Sequence, residues 1–593
     1  MSHVSFASRR RLLPLLTSAW CAATVLPGHA ADTTAPSTAV AALPAAPSPN
    51  ATINLIRLMV ERGLIPAADA EKLINQAEAE AVQARSALAA AAAQPAAVPV
   101  SDGTIRVTYI PPSIRRQMVE EVRQDVMSQA AEENWAAPRT FPEWVSHWKF
   151  AGDLRVRYEG MAYPSDNDTG LNSNFWNYNA INTASSPYDI TGAANPPLGN
   201  ADQDRNRTRL RARLGAEIDL EEGFTAGVRL ATGESNSPVS QNQSFGAAGS
   251  GQGGNFSKYA IWLDRGYLKY ETTVGQSDWA ISLGRFDNPF FSTTMLWASD
   301  LGFDGLVIQG RRRAGDDRAF RPFATFGAFP VFNTDLNFSS TNPNKFKSTD
   351  KWLTGAQLGA DWTINKDFSV KAAVALYDFQ NIEGKLSDPY IPTVASDGGN
   401  TDSTRPAFAQ KGNTYMALRD ITPDASNTFG LSNQWQYFGL ATPFRDVVLT
   451  GRLDYSHFDP VQVSLIGEFV QNVAFDRGDV DAKAVNNLGT SNKFQGGDIG
   501  YLVNLQIGHA SLDQRWDWNV SIGYRYVESD AVVDGFTDSD FGGGGTNLKG
   551  YTLGGNLALS RRVWVGLRLL SADSIAGPTY KNDIFQLDFN GRF

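Results

Sequence analysis

The sequence is poor in the groups that most soluble chemistry needs. Its 593 residues hold one cysteine and five histidines. The cysteine, Cys21, lies in an N-terminal leader, so the mature chain has no thiol. That excludes a disulfide framework, zinc thiolates, iron–sulfur clusters and cysteine nucleophiles. His147, His457 and His509 are too scattered for a His-rich metal site. No Gly-x-Ser-x-Gly elbow is present. Outside the leader there is no apolar run near the roughly 20 residues that a membrane helix needs, and mean hydropathy is −0.28. Acidic residues outnumber basic ones, 62 to 52, for a formal charge of −10, which argues against nucleic-acid binding. Against these shortages stand 33 Phe, 18 Tyr and 14 Trp, too many rings for a disordered polymer.

Arg9, Arg10 and Arg11 precede the apolar stretch Leu12–Leu26, and Gly28-His29-Ala30 follows. This order predicts a signal peptide over 1–30, cleaved after Ala30. Residues 31–52 read as an Ala/Pro-rich linker. Leu55, Ile56, Met59 and Val60, then Leu73 and Ile74 after Pro66, predict a helical hairpin over 53–93. A second linker occupies 94–112. Ile114, Met118, Val122, Val126 and Ala130 form one stripe of an amphipathic helix, which with its own linker fills 113–143.

From Trp144 the apolar period changes from 3.6 to 2. Thr208, Leu210, Ala212, Leu214, Ala216 and Ile218 alternate with Arg207, Arg209, Arg211, Arg213, Glu217 and Asp219. Leu154, Val156 and Tyr158 alternate with Asp153, Arg155, Arg157 and Glu159. Two architectures give such half-apolar strands: a sandwich, whose apolar face meets a second sheet, and a transmembrane barrel, whose apolar face meets lipid. Strand length separates them. The alternation persists for ten to fifteen residues, whereas soluble strands average about five or six and bilayer-spanning ones need about 9–11. The arginine run also needs water or facing carboxylates, since neighbouring guanidiniums about 7 Å apart repel by roughly 0.6 kcal/mol in water and several times more in a lower dielectric.

The pattern over 144–593 therefore predicts an all-β transmembrane barrel of about 16 antiparallel strands, or 18 if Trp435–Leu440 contributes more, with an N-terminal α-helical arm on the periplasmic side. Long connections alternate with tight turns, the asymmetry of outer-membrane barrels. The chain ends on Phe585, Leu587, Phe589 and Phe593 along one strand face. This terminus resembles the signal by which outer-membrane barrels are handed to the barrel assembly machinery.

Several blocks resemble the bacterial putative porin family of Gram-negative outer membranes. They are Ile114–Val126 with Trp135-Ala-Ala-Pro, Phe150–Tyr158, Arg205-Asn-Arg-Thr-Arg-Leu-Arg-Ala-Arg-Leu214, Gly284-Arg-Phe-Asp-Asn-Pro-Phe290 and Asp538–Asn547. The resemblance implies a water-filled channel, open to small hydrophilic solutes, embedded in outer-membrane lipid and associated as a homotrimer. In general porins, which this barrel resembles in strand number, the third loop folds inward. Here that loop is 288–302, entered through Arg285, Asp287 and Asn288-Pro289. Asp287, Asp300 and Asp304 are expected to face Arg155, Arg157, Arg207, Arg209, Arg211, Arg213, Arg229, Arg265 and Lys269 across a narrow aqueous gap. Such a field would favour anionic solutes. The alternative is that these arginines merely pair with wall carboxylates such as Asp153, Glu159, Glu217 and Asp219.

No cofactor or metal is expected. Gly249–Gly254 matches a dinucleotide pattern but has no helix after it. Asp166–Gly170 and Asp538-Ser-Asp540 read as solvated acidic turns ahead of calcium loops. Two other functions compete with passive diffusion. One is a tether, with the N-terminal helices contacting the cell wall and the barrel as anchor. The other is an outer-membrane receptor or enzyme, for which the arm lacks a globular plug.

Overall fold

The computed structural model describes Lys72 and residues 143–593, except 169–174, 193–194, 235–236, 247–254, 256–257, 314–318, 334–344 and 348. The signal peptide, both linkers, the hairpin, the amphipathic helix and the glycine-rich 249–254 stretch fall outside the described residues.

Sixteen long strands form one closed antiparallel barrel. They are β1 Trp148–Ala162, β2 Arg205–Asp219, β3 Phe224–Thr232, β4 Ile261–Val274, β5 Ser277–Phe286, β6 Phe303–Arg312, β7 Phe320–Phe332 and β8 Lys351–Thr363. The circuit continues with β9 Phe368–Gln380, β10 Phe444–Phe458, β11 Val461–Asn472, β12 Ile499–His509, β13 Trp518–Val527, β14 Leu548–Ala558, β15 Val563–Ser574 and β16 Lys581–Arg592. Each strand pairs with its chain neighbours, and β16 returns to β1 in register Asp153↔Arg592 to Ala162↔Asp583. Closure satisfies every edge, the condition for a sheet in lipid.

The terminal residue completes that seam. Phe593 and Gly152 exchange backbone hydrogen bonds of 2.9 and 3.0 Å. A Cβ on Gly152 would stand 2.5 Å from the Phe593 ring, so glycine is what lets the last aromatic lie flat on β1.

The period-2 pattern is realised as two faces. Phe150, Leu214, Leu263, Leu283, Leu358, Leu449, Ile522 and Leu553 are exposed on the outside, and every strand contributes to this band. An uninterrupted apolar belt of this extent needs lipid rather than water. The inward residues are polar and largely buried, because three of the long loops fold back into the barrel. Loop L3 spans 287–302, L5 spans 381–443 and L7 spans 528–547. Around L3, Phe290, Met295, Leu296 and Trp297 pack on Phe303, Phe329, Tyr377 and Phe379 of the wall. The opposite ends of the strands are joined by short turns such as 220–223, 275–276 and 459–460.

The expected count of sixteen holds: Trp435–Gln436 pairs with Tyr188–Asp189 of the loop after β1, Phe438–Leu440 pairs with Tyr415–Ala417 of L5, and neither adds to the wall.

Candidate functional site: an arginine wall clasped by inward loops

The site begins with register. Pairing of β1 with β2 sets Arg155 opposite Arg211 and Arg157 opposite Arg209, with Asp153 opposite Arg213 and Glu159 opposite Arg207. The two carboxylates therefore bracket four guanidiniums. Arg207 meets Glu159 at 2.5 Å, and Arg209 reaches the same carboxylate only at 3.8 Å. Asp153 takes Arg211 at 3.0 Å and Arg213 at 2.5 Å. Wall carboxylates thus neutralise part of the ladder, as the alternative reading has it for Asp153 and Glu159. Glu217 instead accepts the Tyr267 hydroxyl at 2.9 Å.

A β-bulge builds the second part. Arg229 of β3 pairs with Arg265 of β4, but Leu230 pairs with Leu263, so Asp264 is an extra residue. Ile261 and Leu263 face outward, while Asp264 and Arg265 are both buried. Asp264 receives Arg229 and Arg265 at 2.6 Å each, and Asp287 receives the same two at 2.8 Å. Asp264 is a site residue that strict alternation hides, since it would count as lipid-facing. The signal was available: Ile261, Leu263 and Arg265 cannot all share one face of a regular barrel strand.

The third loop does enter the barrel, but its acids do not oppose the arginines across a gap. Asp300 touches Arg211 at 3.2 Å and Arg213 at 3.9 Å, and Asp304, the second residue of β6, touches Arg285 at 2.8 Å. Asp287, Asp300 and Asp304 are all in direct contact with their partners. Lys269 lies lower on β4 and pairs with Glu271 at 2.5 Å, away from this group. L3 is anchored to the wall at two points of its first half, Phe291 and Thr293. Gln357 accepts the Phe291 N–H at 2.8 Å and donates to the Phe291 carbonyl at 2.8 Å. Glu468 accepts the Thr293 N–H at 2.8 Å, the Thr293 hydroxyl at 2.5 Å and the Thr450 hydroxyl at 3.0 Å.

The Asp538-Ser-Asp540 stretch is also corrected. It is no solvated turn: Asp540 lies inside the barrel, where it holds Arg157 at 2.8 Å and also pairs with Arg568. Arg157 in turn grips Asp588 with bonds of 2.7 and 2.8 Å and is 1% exposed. Burial alone would raise the Asp540 carboxyl, but Arg157 and Arg568 outweigh it and hold it well below the usual carboxylate range. L7 is tied to L3 by Asp538 N–H to the Thr294 carbonyl at 3.1 Å and Ala298 N–H to the Phe536 carbonyl at 2.8 Å. Asp166 pairs with Lys581 at 2.6 Å. Among the described residues no group of His, Cys, Asp and Glu could hold a metal ion.

What remains unneutralised is informative. Arg155 contacts Asn242 at 2.6 Å and Arg209 contacts Ser240 at 3.4 Å, both in the loop after β3. Among the described residues Arg155 has no ion-pair partner, and Arg209 has only Glu159 at 3.8 Å, a carboxylate that Arg207 already holds at 2.5 Å. The Nε atoms of Arg155, Arg209 and Arg211 are buried without a hydrogen-bond partner among the described residues. On the far side, a cavity of 770 Å³ lined by Lys269, Arg311, Asp361 and Lys371 lies toward the short-turn end.

No curated protein sequence matches the chain. Among solved structures the chain is similar to Pseudomonas putida OprB, at 13% identity over 76% of this chain and 95% of that one, with a TM-score of 0.39. It is also similar to the outer-membrane channel DcaP of Acinetobacter baumannii, at 11% identity over 75% and 97%, with a TM-score of 0.32. A variant of the Rh. blastica porin matches at 11% identity over 75% and 100%, with a TM-score of 0.29. The model of the putative porin family matches residues 49–593, and the chain belongs to that family of outer-membrane channels for passive diffusion.

Proposed function

We propose that this porin favours small anionic solutes and that its selectivity is set by the wall Arg155, Arg157, Arg207, Arg209, Arg211 and Arg213 with Arg229, Arg265 and Arg285. The observation that carries this is the pair Arg155 and Arg209: Arg155 has no ion-pair partner among the described residues, and Arg209 shares Glu159, at 3.8 Å, with the closer Arg207. Fixed guanidiniums in a low-dielectric wall attract a passing anion more strongly than the same charges in bulk water. The net charge of −10 does not oppose this, because selectivity follows the local field. Asp287, Asp300 and Asp304 act as supports in this reading, positioning loop and wall, and Lys269, paired with Glu271, stands apart from them.

The segment before Trp148 leaves from the short-turn rim, where Phe593 also ends. In outer-membrane barrels that rim is periplasmic, so the helical arm is assigned to the periplasm, within reach of the cell wall. Leader cleavage, delivery to the assembly machinery and trimer formation through the apolar belt complete the proposal.

The test is a reversal potential in planar bilayers under a KCl gradient. An anion-favouring potential that moves toward zero in R155Q/R209Q supports the reading. A neutral or cation-favouring potential, unchanged in the variant, removes the selectivity and leaves the channel.

A further inference from the structure

We infer that the long-loop mouth carries a binding site for a flat aromatic carboxylate, formed by Tyr163, Phe175, Trp176, Tyr580, Lys411 and Arg205. The site is a cavity of 410 Å³, where the tops of β1, β2 and β14 meet L5, L7 and the loop before β16. That volume suits one substituted ring, not an extended chain. Its walls are rings: Tyr163 and Phe175 meet Tyr580 at 6.1 and 5.6 Å between centroids. Of its three cations, Arg207 is paired with Glu159 at 2.5 Å, while Lys411 and Arg205 are without acids among the described residues. Lys411 donates to the Gly542 carbonyl and to Tyr580 Oη at 2.7 Å, and sits 4.0 Å from the Tyr580 centroid. No carboxylate pairs with Lys411 or Arg205 among the described residues.

The chemistry distinguishes a ring acid from a sugar acid. Both would stack on aromatic walls, but a sugar needs free amides for its hydroxyls. Each of four lining amides spends at least one hydrogen-bonding group on the fold. Asn177 caps Ala180 at 2.9 Å, Asn179 accepts from Ala409 at 3.0 Å, Gln410 donates to the Asp534 carbonyl at 2.7 Å, and Asn487 donates to the Gly412 carbonyl at 2.9 Å. What is left toward the cavity is the half-buried rings of Tyr163, Phe175 and Trp176 beside Lys411 and Arg205. Arg207 also lines this cavity and is the next inward residue of β2. A carboxylate released from the mouth therefore meets Arg207, then Arg209 and Arg211, which is why this inference rests on the anion-favouring reading.

The experiment is calorimetric titration of the detergent-solubilised full chain with benzoate, and with gluconate as the sugar-acid control. Saturable benzoate binding, weakened tenfold or more by R205Q and by K411M, and at least tenfold weaker for gluconate, supports the site. Arg205 is an exposed strand-end residue, so R205Q keeps the test sound should K411M disturb L5. Absent benzoate binding, equal affinity for gluconate, or benzoate affinity unchanged in R205Q overturns it. Reversal potentials separate the two proposals. A cation-favouring channel whose benzoate binding is still lost in R205Q keeps the mouth site and drops the selectivity, and an anion-favouring channel with unaltered binding in R205Q drops the site alone.

Discussion

Glu468 is the sharpest place to perturb the barrel. It lies on β11, is 3% exposed and accepts three hydrogen bonds, two from Thr293 of L3 and one from Thr450 of the wall. E468A removes the acceptor and leaves all three donors without it at a buried position. Each such loss costs about 1–3 kcal/mol, and bonds to a charged acceptor lie at the upper end. Some of this is offset because the carboxylate no longer pays its own desolvation. A net local destabilisation of about 3 kcal/mol is expected, or roughly a 150-fold rise in the opened fraction of this part of the loop. Phe291, two residues earlier, stays fixed through Gln357, and the L7 contacts of Thr294 and Ala298 remain, so the loop should loosen rather than leave the lumen. Amide hydrogen exchange checks it directly: Thr293 and Met295 N–H groups should lose about two orders of magnitude of protection, with the strands unchanged. Bilayer recordings should show added current noise, and E468A/Q357A a larger conductance. Exchange at Thr293 within threefold of the parent would refute the latch.

Other outcomes follow from the same geometry. L263R places a charge on the outer belt, 63% exposed, and should cost about 2–4 kcal/mol if that position is near the bilayer midplane, measured by urea unfolding in vesicles; an unchanged midpoint would contradict the membrane-facing assignment. Gly545 sits at φ 94° with a Cβ position 1.9 Å from the Lys411 carbonyl, so G545A should lower the thermal midpoint and loosen L7 against L5, while G246A, with open space around it, should have a much smaller effect. Burial raises the Asp530 and Asp534 carboxyls to about 6 and about 7. Acids raised above their unfolded values hold extra protons when folded, so the packing of L7 is strongest in acid and weakens as pH rises from about 4 through 7. Protection of the 528–547 amides, corrected for intrinsic rates, should fall between pH 5 and 8, and D534N should flatten that slope; a rising slope would reverse the assignment.

How much of this was legible beforehand depends on the range of the interaction. Alternation is local, since a side chain's face is set by its parity. The strands carrying Arg207–Arg213 and Phe585–Phe593 could therefore be placed, together with the barrel class, whereas the inward course of 288–302 came from the resemblance to general porins. Arg155, Arg157 and the Arg207–Arg213 run lie on the inner wall by the same logic. Partners were not legible, because they depend on register and on where loops land. Asp588 is 431 residues from Arg157, and Asp540 is 383 residues away.

The Asp264 bulge was hidden for a related reason, as one extra residue changes parity without changing composition. Asp538-Ser-Asp540 looks like a solvated turn until L7 is folded back over Arg157 and Arg568. The sequence by itself determined that alternate residues meet lipid and the others meet a polar interior, because parity along a strand needs no distant partner. Only the tertiary structure decided which arginines keep their charge, because neutralisation requires a carboxylate within a few ångströms, delivered by closure of the sheet and by loops from the far side of the chain.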